Sequence, residues 1–394
     1  MTILYLSDFD LKGSGYANIA FSLCTHLAKN GYEVQALGLG YNGEEHHFPF
    51  RIAPLSDLRM VVPIVRDLQR QGVDIETLIV ALDIPLQEAL LQSFNAPCDL
   101  PYIGLFPLEA PPLCQSWALT LLRMDERLIM SHFGLEACEA SGVKATYIPI
   151  GVDCESWNPP TDEERLQLRK GLGIEPDTFV VLTVADNQER KNLSRSMEIF
   201  ADALKSKDAK YLMVTRPNSP VGWKIQDYAL QLGIFNQMSV WDRGMPFKQL
   251  WSLFAVADCF LLTSKAEGLA MPVLEAMAMR LPVVGTRCTA IEEHLQDGRG
   301  YLIKPDYAIT DPFGNGLRYF AGREDGKFAA LIVSTDRNDP DDKSESELML
   351  DRAQAYVQAR KWSEAGQVLI EAIERAKAVR VQKVELPIPV MEPA

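Results

Sequence analysis

The sequence is poor in the residues that build metal sites and disulfide frameworks. It has five histidines and seven cysteines among 394 residues, and no two cysteines form a C-x-x-C pair. Their odd number and wide spacing predict free thiols in a reducing compartment. The adjacent pair His46 and His47 is a weak sign of a metal ligand set, and the acidic doublet Asp341 and Asp342 lies in a late polar segment. We therefore predict no metal site and no cofactor.

Long apolar runs are also missing. No stretch approaches the roughly 20 apolar residues that span a bilayer, and residues 1–8 predict a first β-strand, not a signal peptide. The formal charge is −14, from 53 acidic and 39 basic side chains. Such a surface argues against general nucleic-acid binding, although a few cations can still hold a small anion. We expect a cytoplasmic protein, at most peripheral to a membrane.

Short apolar runs alternate with helical periodicity through most of the chain. This pattern predicts an α/β protein with parallel sheets that are covered by helices on both faces. The predicted strands lie at residues 3–6, 34–39, 78–82, 102–106, 128–130, 146–148, 179–184, 211–214, 239–241, 259–262, 282–285 and 301–303. The sequence Asn158-Pro159-Pro160 interrupts this pattern and predicts a domain boundary. In sheets of this kind, ligands bind at the carboxyl ends of the strands.

The most informative segment runs from Glu267 to Glu275, where a predicted strand leads through a loop into a helix that has Pro272 in its first turn. Free backbone N–H groups and the helix dipole at such a start favour a diphosphate, and Gly268 allows a ligand to approach the backbone closely. Glu267 and Glu275 flank the helix start, and their spacing predicts that one contacts a sugar and the other a ribose. The alternative interpretation is that they only stabilise the helix dipole.

A second polar segment follows the first strand of the second half of the chain. It contains Asn187, Arg190 and Lys191, which the loop places near the strand ends. Cations at this position would stabilise the charge that develops on a departing nucleotide. The alternative is a solvated basic pair in front of a helix. A Gly-x-Gly loop with Gly13 and Gly15 follows the first strand of the chain, where a plain tight turn is an equally good interpretation.

Residues 267–278 resemble the signature of the retaining glycosyltransferases of family 4, also called glycosyl transferases group 1. Residues 131–134, 148–153 and 284–302 resemble further segments of that family. The resemblance implies the GT-B fold, in which two doubly wound Rossmann-like domains face a central cleft. It implies an acceptor-side domain at 1–158, a donor-side domain at 159–340, and helices at 341–394 that pack back on the first domain.

The same resemblance implies roles for individual residues. Glu267 would contact the donor sugar, the amides of Leu269 and Ala270 would hold the diphosphate, and Glu275 would bind the ribose. Gly15, Asn187 and Gly268 would contribute to donor binding, Arg190 and Lys191 would stabilise the leaving group, and Glu109 would lie on the acceptor side where many relatives have a histidine.

Two departures from the family pattern affect these expectations. Most relatives have Gly-Arg where this chain has Ala185 and Asp186, so Arg190 is expected to replace the missing arginine. Ala270 stands where the family usually has glycine. We predict a retaining, metal-independent transferase that moves a hexosyl group from a UDP-, GDP- or ADP-sugar to an unidentified acceptor. A non-catalytic nucleotide-sugar binder and an epimerase or hydrolase on the same fold remain the alternatives.

Overall fold

A computed structural model describes residues 2–10, 15–94, 100–311, 314, 316–336 and 343–385. The first sheet pairs its strands in parallel, in the order β3-β2-β1-β4-β5-β6-β7. Its strands are β1 (Thr2–Asp8), β2 (Glu33–Leu39), β3 (Arg51–Leu55), β4 (Ile75–Ala81), β5 (Tyr102–Phe106), β6 (Glu126–Ile129) and β7 (Thr146–Tyr147). The central strands are almost fully buried, which explains why they read as continuous apolar runs.

The second sheet has the order β10-β9-β8-β11-β12-β13 and is also parallel. Its strands are β8 (Phe179–Val184), β9 (Ala209–Thr215), β10 (Met238–Asp242), β11 (Cys259–Leu262), β12 (Val283–Thr286) and β13 (Tyr301–Ile303). An antiparallel hairpin of β14 (Pro305–Thr310) and β15 (Leu317–Ala321) follows it. The prediction of an α/β protein with two parallel sheets is confirmed.

Helices cover both faces of the two sheets. In chain order they are α1 (Gly15–Lys29), α2 (Val61–Arg70), α3 (Ile84–Ser93), α4 (Gln115–Leu121), α5 (His132–Ala140), α6 (Asp162–Gly171), α7 (Leu193–Leu204), α8 (Ile225–Leu232), α9 (Phe247–Val256), α10 (Met271–Ala278), α11 (Thr289–Leu295), α12 (Arg323–Asp336), α13 (Lys343–Gln358) and α14 (Trp362–Glu385). Short 3₁₀ turns occur at Leu58–Met60, Glu189–Lys191 and Phe235–Gln237.

The last two helices connect the two halves of the chain. Helix α13 packs against α10 of the second half, and α14 packs against α1 and strands β4, β5 and β6 of the first half. At the crossing between the halves, the amide of Val152 donates to the carbonyl of Arg360 over 3.2 Å. A Cβ on Gly151 would lie 2.6 Å from the backbone nitrogen of Trp362, so only glycine permits this approach. Helix α14 thus returns to the first half, whereas α13 packs on the second half. The domain limits stay a prediction.

Two elements were missed by sequence reasoning. Strand β3 is a short edge strand that contains Pro54, which weakens its strand signal. The hairpin β14–β15 has a largely exposed first strand, so its residues lack a clear apolar face. Near the late polar segment, α12 extends to Asp336 and α13 begins at Lys343.

Candidate active site

A cleft of about 620 Å³ lies between the carboxyl edges of the two sheets. It brings together most of the predicted site residues: Gly15, Glu109, Arg190, Lys191, Glu267, Gly268, Leu269 and Ala270 all line it. Asn187 and Glu275 do not line the cleft. Gly13 and Ser14 of the first glycine-rich loop lie outside the described residues, but Gly15 opens α1 at the cleft wall.

The start of helix α10 exposes backbone amides to this cleft. Among the described residues, the N–H groups of Gly268, Leu269 and Ala270 have no hydrogen-bond partner. A Cβ on Gly268 would lie 2.3 Å from Cβ of Pro107 in the facing loop, so this position admits only glycine. Unpaired N–H groups at a helix start form a binding site for an anion.

Ala270 has a strained backbone at this helix start. It precedes α10 with φ 56° and ψ 52°, in the left-handed region. In this region the Cβ of a residue other than glycine costs roughly 1–2 kcal/mol. Alanine in place of the family's usual glycine therefore strains the backbone at this position.

A cluster of ion pairs occupies the centre of the cleft. Lys191 Nζ lies 2.7 Å from Glu267 Oε1, and Arg190 Nη1 lies 3.2 Å from Glu267 Oε2. Arg190 Nη2 also lies 2.6 Å from Glu109 Oε1. The 3₁₀ turn after β8 presents both cations, and the amide of Lys265 donates to the carbonyl of Arg190 over 2.8 Å to hold that turn. Arg190 therefore joins the loop after β5, which contains Glu109, to the loop after β11, which contains Glu267.

Burial and the neighbouring charges shift the pKa values of Glu267, Lys191 and Glu109. Burial acts to raise the pKa of Glu267, but Lys191 and Arg190 outweigh it and hold this pKa at about 2. Burial, followed by the neighbouring Arg190, lowers the pKa of Lys191. Desolvation raises the pKa of Glu109 despite the opposing effect of Arg190. Glu267 is thus the ionised acid of the pair, whereas Glu109 binds a proton more readily than an ordinary glutamate.

Asp186, the residue that departs from the family pattern, is paired with an arginine from a neighbouring strand. Arg216 donates to both of its oxygens over 2.6 Å. Arg243, which follows β10, also lines the cleft, and among the described residues its side chain forms no hydrogen bond or ion pair. Sequence reasoning missed Arg243, although its place just after a predicted strand was a usable signal.

Three further polar side chains were missed or have unexpected contacts. Tyr16 and Asp83 line the cleft, and the Tyr16 hydroxyl donates to Asp83 Oδ1 over 2.6 Å. Asn187 is fully buried. Its side chain donates to the carbonyls of Arg216 and Trp223 and accepts from the amide of Trp223 over 2.7 Å. In this structure Asn187 therefore fixes the loop after β9.

Glu275 is a buried carboxylate without a partner. It is 5% exposed, and no hydrogen bond or ion pair of its side chain occurs within the described part of the chain. Burial raises its pKa to about 7. An unpaired buried acid is costly for the folded state, so its presence one turn inside α10 points to a ligand that supplies donors.

The hairpin β14–β15 reaches the loop after β5. The amide of Leu317 donates to the carbonyl of Pro111 over 2.9 Å, and the amide of Tyr319 donates to the carbonyl of Lys265 over 2.9 Å. Three residues of the polar segment 311–316 at its tip lie outside the described residues. Strand β15 is therefore bonded to the chain two residues from Glu109 and two residues from Glu267.

The described residues contain no group of three or more His, Cys, Asp or Glu side chains placed to hold a metal ion. Asp341 and Asp342 lie outside them. Asp8-Phe9-Asp10 is an Asp-x-Asp sequence at the end of β1 that sequence reasoning passed over; Asp8 accepts from the amide of Asp10 over 2.8 Å, and neither carboxylate lines the cleft. Metal independence stays a prediction. No described helix has both the length and the apolar character that a bilayer crossing requires.

Comparison with known proteins finds a family match within the second half of the chain. Residues 164–311 match the family model described as glycosyl transferases group 1. This segment belongs to that family. It includes both the Arg190–Lys191 turn and the loop from Glu267 to Glu275 that line or flank the cleft.

Two relatives and one solved structure show the range of similarity. The chain is 26% identical over 168 residues to alpha-galactosylglucosyldiacylglycerol synthase of Streptococcus pneumoniae, which covers 41% of this chain and 44% of the relative. It is 30% identical over 140 residues to N-acetyl-alpha-D-glucosaminyl L-malate synthase of Bacillus anthracis, which covers 34% and 35%. The chain thus matches less than half the length of these relatives.

The likeness to solved structures extends over almost the whole chain. The structure of Anabaena Alr3699/HepE in complex with UDP-glucose has a TM-score of 0.71 and 16% identity, and covers 95% of this chain and 99% of that protein. At this identity the likeness shows the fold, which is GT-B. The group 1 segment therefore forms the second of two Rossmann-like halves.

The left-handed backbone of Ala270 generates a stability prediction. We expect Ala270→Gly to raise the free energy of unfolding by about 0.5–1 kcal/mol. Glycine removes the backbone strain of the folded state, and the greater entropy that it gives the unfolded chain cancels only part of this stabilisation. Urea denaturation measures it. The matched control Ala276→Gly, inside the same helix, should instead lose about 1 kcal/mol or more. A destabilised Ala270→Gly variant would contradict the argument.

The raised pKa of Glu275 generates a pH prediction. Between pH 4.5 and 7 the unfolded chain has lost the proton that the folded protein keeps, so stability falls as pH rises through this window. Glu275→Gln should therefore be more stable than the parent at pH 8 by up to about 3 kcal/mol, with the difference vanishing near pH 4.5. Urea denaturation across pH tests this, with the exposed Glu139→Gln as control. A less stable Glu275→Gln at pH 8 would show that the carboxylate has a stabilising partner.

Proposed function

We propose that this chain is a retaining glycosyltransferase that moves a hexosyl group from a UDP-, GDP- or ADP-sugar to an acceptor hydroxyl without a metal ion. The observation that carries the proposal is the set of unpaired amides at the start of α10, which share one cleft with Lys191, Arg190 and Glu267. Family membership of residues 164–311 supports this assignment.

The diphosphate is assigned to the amides of Leu269 and Ala270. Lys191 and Arg190 line the same cleft and supply the positive charge that a metal ion would otherwise provide. Both cations pair with Glu267. A diphosphate competes for them because charge-assisted hydrogen bonds to phosphate oxygens are strong.

The two glutamates bind the two sugars of the donor. When the diphosphate draws Lys191 away, the Glu267 carboxylate accepts from hydroxyls of the transferred hexose. Glu275 lies further along α10 and accepts from the ribose hydroxyls, which satisfies a carboxylate that otherwise has no partner. Glycine at position 268 lets the loop that contains Pro107 pack closely against the start of α10.

The reaction exchanges one bond at the anomeric carbon for another. The bond from this carbon to the diphosphate oxygen breaks, and its electron pair leaves with the nucleoside diphosphate. The acceptor oxygen bonds the carbon on the same face, and its proton passes to the departing phosphate. The α10 amides and the adjacent cations stabilise the charge on the leaving group as it grows.

The acceptor binds on the side of Glu109. This carboxylate is held by Arg190, and strand β15 bonds the same loop at Pro111. Its raised pKa fits a group that hydrogen-bonds an acceptor hydroxyl and helps to orient it. The six described cysteines are free, which fits a cytoplasmic enzyme.

Ligand binding is the first test. Thermal-shift measurements with UDP, GDP, ADP and their sugars should show stabilisation by one nucleotide series, because a ligand that binds only the folded state raises the apparent stability. Turnover is then measured as nucleoside diphosphate release with a panel of hydroxyl acceptors. Binding without any turnover would favour a non-catalytic binder, and acceptor-independent loss of the donor would favour a hydrolase or epimerase.

Loss of the central cation should abolish transfer. Lys191→Ala is expected to lower donor-dependent turnover at least 100-fold, because it removes leaving-group stabilisation, while circular dichroism shows that the protein remains folded. Glu275→Ala should have a similar effect through lost ribose binding. The exposed Lys170→Ala is the matched control. Normal turnover in Lys191→Ala and Glu275→Ala would remove the assignment.

The unpaired arginine of the cleft should strengthen donor binding. Arg243→Ala is expected to weaken affinity for the nucleoside diphosphate about tenfold, because one charge-assisted contact is lost, and to leave thermal stability unchanged without ligand. Arg66→Ala, an exposed arginine on α2, serves as the control. Isothermal calorimetry measures both variants, and unchanged affinity in Arg243→Ala would place this arginine outside the donor site.

A further inference from the structure

His294 lies behind the diphosphate loop and has no role in the assignments above. It is fully buried on α11. Its Nε2 lies 2.6 Å from the carbonyl oxygen of Leu269. A carbonyl only accepts, so Nε2 carries the proton and Nδ1 must accept. Burial, followed by the charge of Arg360, lowers the pKa of His294 to about 3, so the ring is neutral near pH 7.

A chain of donors fixes this ring from the other side. The hydroxyl of Tyr356 lies 3.1 Å from Nδ1 of His294, and Arg360 Nη1 donates to that hydroxyl over 3.2 Å. Arg360 is always charged, and its Nε donates to the carbonyl of Ile150 at the crossing between the halves over 3.2 Å. The bonds thus point in one direction, from Arg360 through Tyr356 and His294 to Leu269.

The bond to Leu269 determines where the next amide points. The carbonyl of Leu269 and the N–H of Ala270 belong to one planar trans peptide, so they point in opposite directions. With the carbonyl held towards buried His294, the N–H of Ala270 points towards the cleft that Ala270 lines. This orientation requires the strained φ of 56° at Ala270. A flip of this peptide would relieve the strain and turn the N–H away from the ligand.

We propose that His294 is a positioning residue for the donor diphosphate, which holds the 269–270 peptide in the orientation that presents the Ala270 amide. The inference rests on the proposed function. The hydrogen bond from His294 to the carbonyl of Leu269 offsets the backbone strain of Ala270, an alanine at a position suited to glycine. Tyr356 and Arg360 act through His294 by fixing its tautomer.

The test compares a nucleoside diphosphate with its nucleoside. For whichever of UDP, GDP and ADP binds the parent protein, His294→Leu should weaken the diphosphate about tenfold and leave the nucleoside within twofold, as measured by calorimetry and competition. His294→Gln keeps a donor near the Nε2 position and should stay within about threefold of the parent. A merely structural role would weaken both ligands together and would not be rescued by glutamine.

A double variant makes the test specific to the peptide. Ala270→Gly removes the backbone strain that a flip of the 269–270 peptide would relieve. The double variant His294→Leu with Ala270→Gly should therefore recover part of the diphosphate affinity that His294→Leu loses. Independent sites would not show such coupling. Should His294→Leu not fold, Tyr356→Phe is expected to weaken the diphosphate about threefold in the same selective way. Unchanged diphosphate affinity in His294→Leu, or equal losses for both ligands, would overturn the inference. A parent protein that binds none of the three diphosphates would contradict the proposed function and this inference with it.

Discussion

The ion pairs of Arg190 are the interaction on which the rest of the cleft depends. One guanidinium binds Glu109 from the first half of the chain and Glu267 from the second. The Glu267 side chain is 7% exposed and that of Glu109 is 31% exposed, and a buried charge without a partner is strongly destabilising. Arg190 therefore joins the two halves of the chain and at the same time balances the buried charge of Glu267.

The fold was largely predictable because its strands are buried. Parallel strands that are covered on both faces must be apolar along their whole length, and the predicted strands of both sheets occur in the structure. The exceptions were elements that do not obey this constraint. Strand β3 lies at an edge, and the hairpin strand β14 is mostly exposed. Their positions depend on contacts such as the bond from Leu317 to Pro111, which no local pattern encodes.

The candidate site was predictable where its residues lie in short segments that follow predicted strands, as Glu109, Lys191 and Glu267 do. Residues 267–275 also carry their own geometry, since a strand, a loop and a helix start follow each other in sequence. Partners from other elements were not predictable: Arg216 for Asp186 and His294 for the carbonyl of Leu269. The strain at Ala270 was equally hidden, because a residue's identity does not reveal the sign of its φ. Asn187 shows the same limit, since its side chain serves a loop from β9.

The ion pairs of Glu267 have a physical consequence for ligand selection. Lys191 and Arg190, the cations that suit a phosphate, pair with Glu267, so under the proposed function binding of a diphosphate exchanges one set of ion pairs for another. This exchange leaves the carboxylate of Glu267, 5% exposed, short of donors, and an under-satisfied buried carboxylate costs free energy. Hydroxyls of a hexose supply the missing donors, whereas a bare nucleoside diphosphate does not. The proposed function therefore implies that recognition of the sugar is coupled to recognition of the phosphate through Lys191, which pairs with Glu267.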